Sequence, residues 1–307
     1  MNKLRTQKIP TPTQRFDIEM MDGAVIRVRR HGNPSGPRVF ISHGNGFASD
    51  GYWQFWRLLL DEYDLIIYDQ RSHGENPTHD LDSHNVETFA NDLNTLLKST
   101  SRNFGEKPNL GIFHSLSAIV AVSHRQNFEW PWEALVLVDP PFSPPPNHHL
   151  APYFLEAEKE LSALALGRQE EFKASSDLAA KFKRSKFLGT WHPESYEDMA
   201  DATLSARGEN YSLSCPPKYE AKIFNDNSSL NLTELLQSLP SSVLYICADP
   251  KKEAARGPAY MNLYLHEKYG LNYQAMSGTG HMLQLERPGE FVEKVKDFFT
   301  SHSSLEI

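Results

Sequence analysis

The chain has 307 residues and a formal net charge of −8, from 31 Lys and Arg against 39 Asp and Glu. With 39% hydrophobic and 23% charged residues it is too apolar for a disordered chain, and 17 Gly and 20 Pro are too few for a collagen-like fibre. Its best apolar run, near Ser117 to Val122, falls far short of the roughly 18 residues a membrane span needs, and an acidic surface repels phosphate backbones, so membrane and nucleic-acid partners are disfavoured.

Taken in chain order, the apolar pattern predicts strands alternating with helices. Arg15 to Met20 and Ala24 to Arg29 flank Asp22-Gly23, a hairpin signal. Val39 to Ile41 reads as a buried strand running into His43-Gly44-Asn45-Gly46. An aromatic helix is expected over Tyr52 to Leu60, then a strand over Leu65 to Tyr68. Val86, Phe89, Leu93, Leu96 and Leu97 repeat at helical spacing. Leu110 to Phe113 reads as a strand, Leu116 to Arg125 as a helix and Leu135 to Val138 as a strand.

The rhythm breaks at Pro140 to Pro146, where five prolines in seven residues cannot form helix interior or central strand. The next hundred residues read as mainly helical. Tyr153 to Leu166 is expected to bury a face of Phe154, Ala157, Leu161, Leu164 and Ala165. Strand and helix then alternate again: Val243 to Ile246, Tyr260 to Lys268, Leu271 to Met276 and Glu290 to Phe299. The expected fold class is α/β, with a mostly parallel central sheet flanked by helices. The expected division is 1–142 and 241–307 for the core and 143–240 for an inserted helical cap.

Two cysteines, Cys215 and Cys247, are too few for a disulfide framework and suggest a reducing, cytoplasmic compartment. The first residues are basic but lead into polar ones, so no secretory signal is expected. No metal spacing is present, His148-His149 included.

Four segments carry chemistry, each just beyond a predicted strand, where open α/β sheets build their sites. In Phe113-His114-Ser115-Leu116-Ser117 a strand runs into Ser115 and a helix leaves it without a loop. Such a turn exposes the serine oxygen and aims helix N-terminal amides at a developing oxyanion. His281 follows Ser277-Gly278-Thr279-Gly280. In Ile246-Cys247-Ala248-Asp249-Pro250 a carboxylate sits directly after a buried strand. The order Ser, Asp, His fits a nucleophile elbow. A neutral serine needs an imidazole to take its proton and a carboxylate to orient that imidazole. The glycines around Asn45 would let main-chain N–H groups meet a carbonyl oxygen; Asn45 and Leu116 are the expected donors, with Gly46 as the fallback.

Together with Asp69-Gln70-Arg71-Ser72-His73-Gly74 and Glu286-Arg287-Pro288, these segments resemble the α/β-hydrolase fold family, in its branch with a helical cap. The resemblance implies Ser115 as nucleophile, His281 as base, Asp249 as acid with Asp139 as the alternative, and a structural role for the Asp69 to Gly74 loop. It implies a cofactor-free serine hydrolase acting on a small-molecule carboxylic ester or lactone. Carbon–carbon hydrolysis of diketone-like compounds and ligand binding with weak catalysis are the alternatives. Phe113 stands where the family has Gly, so it is expected to distort the elbow or narrow the acyl pocket. Trp53 and Trp191 are candidate pocket walls, and the cap aromatics Phe154, Phe172, Phe182 and Phe187 are expected mostly to pack.

Overall fold

The computed structural model describes residues 9–185, 188, 190–252 and 256–302; Phe187 lies outside them. Eight strands form one sheet: β1 (Gln14–Glu19), β2 (Val25–Gly32), β3 (Arg38–Ser42), β4 (Asp64–Tyr68), β5 (Asn109–His114), β6 (Trp132–Val138), β10 (Val243–Ala248) and β11 (Tyr273–Met276). Their spatial order is β1-β2-β4-β3-β5-β6-β10-β11. The β1/β2 and β2/β4 pairs are antiparallel and the remaining pairs parallel. The hairpin turns at Gly23 (φ +85°), a conformation glycine adopts without a Cβ penalty, and Asp22 Oδ1 accepts the Ala24 N–H at 3.2 Å.

β3, β4, β5 and β6 are apolar and buried almost throughout because helices cover both faces. One face packs against α1 (Trp53–Trp56), α10 (Leu283–Glu286) and α11 (Pro288–His302). The other carries α2 (Val86–Phe104), α3 (Leu116–Ser123), α8 (Thr233–Gln237) and α9 (Arg256–Tyr269). α2 starts where the Asn85 side chain accepts the Thr88 N–H. The single helix expected over Tyr52 to Leu60 is instead the short α1 between two 3₁₀ turns, Ser49–Tyr52 and Arg57–Leu59. Tyr52, Phe55, Trp56 and Leu59 are all buried, so tertiary packing rather than propensity shapes this stretch.

Between β6 and β10 the chain leaves the sheet and forms α4 (Ala151–Leu166), α5 (Ser175–Arg184), α6 (Ser195–Thr203), α7 (Pro217–Asn227) and α8. It also forms a small antiparallel sheet, β7 (Glu171–Phe172), β8 (Leu204–Arg207) and β9 (Asn210–Leu213), in the order β7-β9-β8. α4 corrects the expected face. It packs on α7 through Glu158, Ser162 and Ala165, while Leu161 and Leu164 are exposed at 41% and 61%. Small Ser and Ala at i+4 and i+7 let the two helices approach closely, which the leucine face could not do.

The Asp69 to Gly74 loop is braced by buried charge. Asp69 pairs with Arg29 at 3.1 Å and accepts the Ser49 N–H at 2.7 Å. Arg71 spans Asp92 and Asp22 at 2.7 and 2.6 Å.

The interior also holds neutral histidines. Burial pushes His31 and His124 down to about 4, His73 to about 3 and His84 to about 2. Below about pH 6.5 the unfolded chain therefore takes up protons that the folded chain refuses, so stability present above that pH is lost as the pH falls. Each such group contributes about 1.4 kcal/mol per pH unit, against a typical total of about 5–15 kcal/mol. Glu158, pushed up to about 8 by burial, acts oppositely: its stabilisation is full at low pH and lost as the pH rises through 8. The buried histidines, with His43 and His114 lowered by burial as well, outnumber Glu158 and the other carboxyls that burial raises, Asp92 and Glu220, so the melting temperature should peak near neutrality and fall steeply from pH 6.5 to pH 5. A melting temperature that rises over that interval would contradict this balance.

Candidate active site

Ser115 stands alone between the end of β5 and the start of α3, with φ 53° and ψ −114°. A non-glycine residue there costs about 1–3 kcal/mol and persists only when its surroundings hold it. They do. Its N–H donates to Val138 O at 3.0 Å, its carbonyl accepts from the Ala118 and Ile119 N–H groups, and Ser117 Oγ donates to His114 O at 2.9 Å. The Ser117 N–H reaches His43 O at 3.3 Å, tying the elbow to the loop after β3.

Phe113 neither distorts this turn nor narrows a pocket. It is fully buried on the α2 and α3 face of the sheet, 5.1 Å from the Trp132 ring and 6.4 Å from that of Tyr68. Strand alternation sends it there and sends His114 to the opposite face. Gly111 makes the room, since a Cβ on Gly111 would lie 2.8 Å from Phe113 Cε2. The small residue expected two places before the serine is thus found four places before it, on the same strand face.

His281 reaches back over the end of the sheet. Its Nε2 lies 3.1 Å from Ser115 Oγ and its Nδ1 lies 2.7 Å from Asp139 Oδ2. A carboxylate only accepts, so Nδ1 carries the proton and Nε2 presents its lone pair to the serine hydroxyl. Asp139 follows β6 directly and is fully buried. Its φ of 42° is another left-handed, non-glycine conformation. The Ala248 N–H donates to Asp139 Oδ1 at 3.1 Å, and the Asp139 N–H donates to Ile246 O at 2.9 Å, so β10 holds both the carboxylate and the main chain of Asp139.

Asp249 is not brought to His281, which corrects the expected pairing. Its two oxygens accept the Lys251 N–H at 2.8 Å and the Gly278 N–H at 2.7 Å, bonds that hold its carboxyl below the usual carboxylate range. It closes the turn after β10 and braces the loop that leads to His281. Asp139 sits one strand nearer Ser115, because the sheet order at this edge is β5-β6-β10.

The loop after β3 supplies main-chain donors. Among the described residues, the N–H groups of Asn45 and Leu116 donate to no protein acceptor. The fallback Gly46 is spoken for: its N–H donates to His73 Nε2 at 3.1 Å. The insertion rests on this loop. Asn45 Nδ2 donates to Glu220 O at 2.9 Å, and Glu220 pairs with Arg168. A Cβ on Gly46 (φ +72°) would lie 2.6 Å from Glu220 Cδ, so only glycine fits under the pair. Glu220 and Arg168 could not be found from the sequence, since a contact 175 residues away leaves no local signal.

Trp191 is buried, stacked on Tyr196 at 5.0 Å and set against Phe182 and Phe47. Phe172 and Phe182 are buried as expected of packing residues, whereas Phe154 is only half-buried. Trp53 packs edge-on against Trp56 at 4.6 Å. Both cysteines are buried free thiols. One group of side chains among the described residues could approach a metal ion: His73, His84 and Cys215, with ligand atoms within 4.8 Å of one another. His73 donates from Nδ1 to Arg71 O at 3.0 Å and accepts the Gly46 N–H on Nε2, so an ion there would have to displace one of these bonds.

The model of the alpha/beta hydrolase family matches residues 39–294, and the chain belongs to that family. No curated protein matches it. Among solved structures it is similar to E-2-(acetamidomethylene)succinate hydrolase, at 18% identity and TM-score 0.75 over 94% of this chain and 99% of that one. It is also similar to the thioesterase domain from the curacin biosynthetic pathway, at 15% identity and TM-score 0.71 over 92% and 99% of the two chains. A third likeness is to a thermophilic esterase from Thermogutta terrifontis, at 16% identity and TM-score 0.65 over 95% and 100%. At such identities the likeness is one of fold. No helix among the described residues is long and apolar enough to cross a membrane.

Proposed function

We propose that the protein is a serine hydrolase of small to medium, apolar carboxylic esters, working through Ser115, His281 and Asp139. The observation that carries this reading is the continuous chain from Ser115 Oγ to His281 Nε2 at 3.1 Å and from His281 Nδ1 to Asp139 Oδ2 at 2.7 Å.

Ser115 Oγ attacks the ester carbonyl as its proton passes to His281 Nε2. Asp139 stabilises the imidazolium and fixes its tautomer. The carbonyl oxygen becomes an oxyanion held by the Asn45 and Leu116 N–H groups, each such donor being worth about 2.7–4 kcal/mol in the transition state. Collapse breaks the bond to the alkoxy oxygen, which leaves as an alcohol with the proton from His281. A water then gives its proton to His281 and attacks the acyl-enzyme. The second collapse frees the carboxylic acid and returns the proton to Ser115 Oγ. None of these steps calls for a cofactor.

The insertion acts as a cap in this reading. Its aromatic cluster of Phe182, Trp191 and Tyr196 meets Phe47, two residues beyond Asn45, which favours an apolar acyl or alcohol group. The test is a panel of p-nitrophenyl esters of increasing acyl length, lactones and a vinylogous diketone. Turnover of esters with an optimum at short to medium chains is expected. Cleavage of the diketone with every ester inert would overturn the ester assignment.

A further inference from the structure

Behind the proposed nucleophile runs a second hydrogen-bonded chain that the mechanism above does not use. Gly44 N–H lies 3.2 Å from Tyr52 Oη, Tyr52 Oη 2.8 Å from His114 Nδ1, and His114 Nε2 3.0 Å from the main-chain oxygen of His281. The direction of every bond follows from one fact: a carbonyl oxygen can only accept. His114 therefore carries its proton on Nε2 and donates it to His281 O. Its Nδ1 is left with a lone pair, so the Tyr52 hydroxyl must donate to it. The Tyr52 oxygen is then free to accept the Gly44 N–H.

Both side chains along this chain are fixed. Tyr52 and His114 are buried at 1% and 2% exposure; their rings pack on one another at 5.6 Å, and the His281 ring lies 4.7 Å from that of His114. Burial and the neighbouring His281 hold His114 well below the usual histidine range, so it stays neutral and keeps the acceptor that Tyr52 needs. Gly44 is closed onto the same group, since a Cβ there would lie 2.9 Å from His114 Nδ1 and 3.2 Å from Ser115 Cβ.

We infer that Tyr52 and His114 are positioning residues that lock the proposed oxyanion loop and the backbone of His281 to one another. Neither touches substrate. Gly44 precedes Asn45, the proposed oxyanion donor, and His281 carries the proposed base; the chain sets both against Ser115, which is bonded directly to His114. A shift of about 1 Å in such a constellation can cost about a hundredfold in rate. The role rests on the Ser115, His281 and Asp139 reading.

The experiment measures kcat and KM on a p-nitrophenyl ester for the full chain carrying Tyr52→Phe, His114→Ala, His114→Gln and the Tyr52→Phe/His114→Ala pair, beside wild type and Ser115→Ala. Tyr52→Phe should lower kcat about tenfold and His114→Ala about a hundredfold, with KM within about twofold, because positioning acts in the transition state. Gln can place an amide N–H near His281 O and an oxygen near Tyr52, so His114→Gln should regain about tenfold over His114→Ala. The double variant should match His114→Ala, since the two residues form one chain. Losses confined to KM, no recovery with Gln, or additive losses would overturn the positioning role while a dead Ser115→Ala leaves the triad standing. If His114→Ala does not fold, wild-type kcat in Tyr52→Phe is enough to overturn it. Retained turnover in Ser115→Ala would remove the reading and this role together.

Discussion

Asp139→Asn should lower kcat about 10⁴-fold, with little change in KM or melting temperature. The side chain keeps its shape and its left-handed backbone, which Asn tolerates better than most residues. Its oxygen can still accept the Ala248 N–H, now made at 3.1 Å. What changes is the partner of His281 Nδ1, 2.7 Å away, where an amide N–H replaces a carboxylate oxygen. The imidazole must then present a lone pair at Nδ1 and carry its proton on Nε2, so it cannot take the proton of Ser115. Asp249→Asn is the matched control. It gives up one of two bonds to main-chain N–H groups and should cost about 1–2 kcal/mol of stability while kcat stays within about fivefold of wild type. Equal kcat losses in the two variants would refute the assignment of Asp139.

Ser115→Ala should show the larger loss, on the order of 10⁶-fold in kcat. Removing Oγ removes the bond-forming atom and leaves His281 with no proton to accept. The fold should tolerate it well. Ser115 is held by its main chain, through Val138 O and the first turn of α3, and Ala keeps those bonds. Its positive φ is no easier for Ala than for Ser, so stability should change by less than about 1 kcal/mol. Residual hydrolysis above the water rate would come from the proposed Asn45 and Leu116 donors, which the substitution leaves in place.

Much of the core could be read from the chain because its signals are local. Buried parallel strands are short apolar runs, and the helices between them repeat at helical spacing, so β3 to β6, α2 and α3 lie close to where the pattern put them. The strand-serine-helix junction is also a local feature. Choosing between Asp139 and Asp249 is not. Both follow a buried strand, and which one meets His281 depends on the strand order β5-β6-β10 and on where the loop after β11 folds back. Phe113 misled for a related reason. A large side chain before the serine matters only if it points at the site, and Gly111 on the same strand face gives it room elsewhere. In the insertion, α4 turned its less apolar face inward because close packing on α7 rewarded Ser162 and Ala165 over leucine. The short β7, β8 and β9 strands, at two to four residues each, carry too little pattern to be seen.

The most direct test of the proposed site is covalent. Wild-type protein treated with a fluorophosphonate should gain one adduct by intact mass, and peptide mapping should place it on Ser115. Asp139→Asn should label far more slowly and Asp249→Asn at nearly the wild-type rate. An adduct on any other residue, or a protein that stays unmodified while folded, would contradict the convergence of Ser115, His281 and Asp139 into one working site.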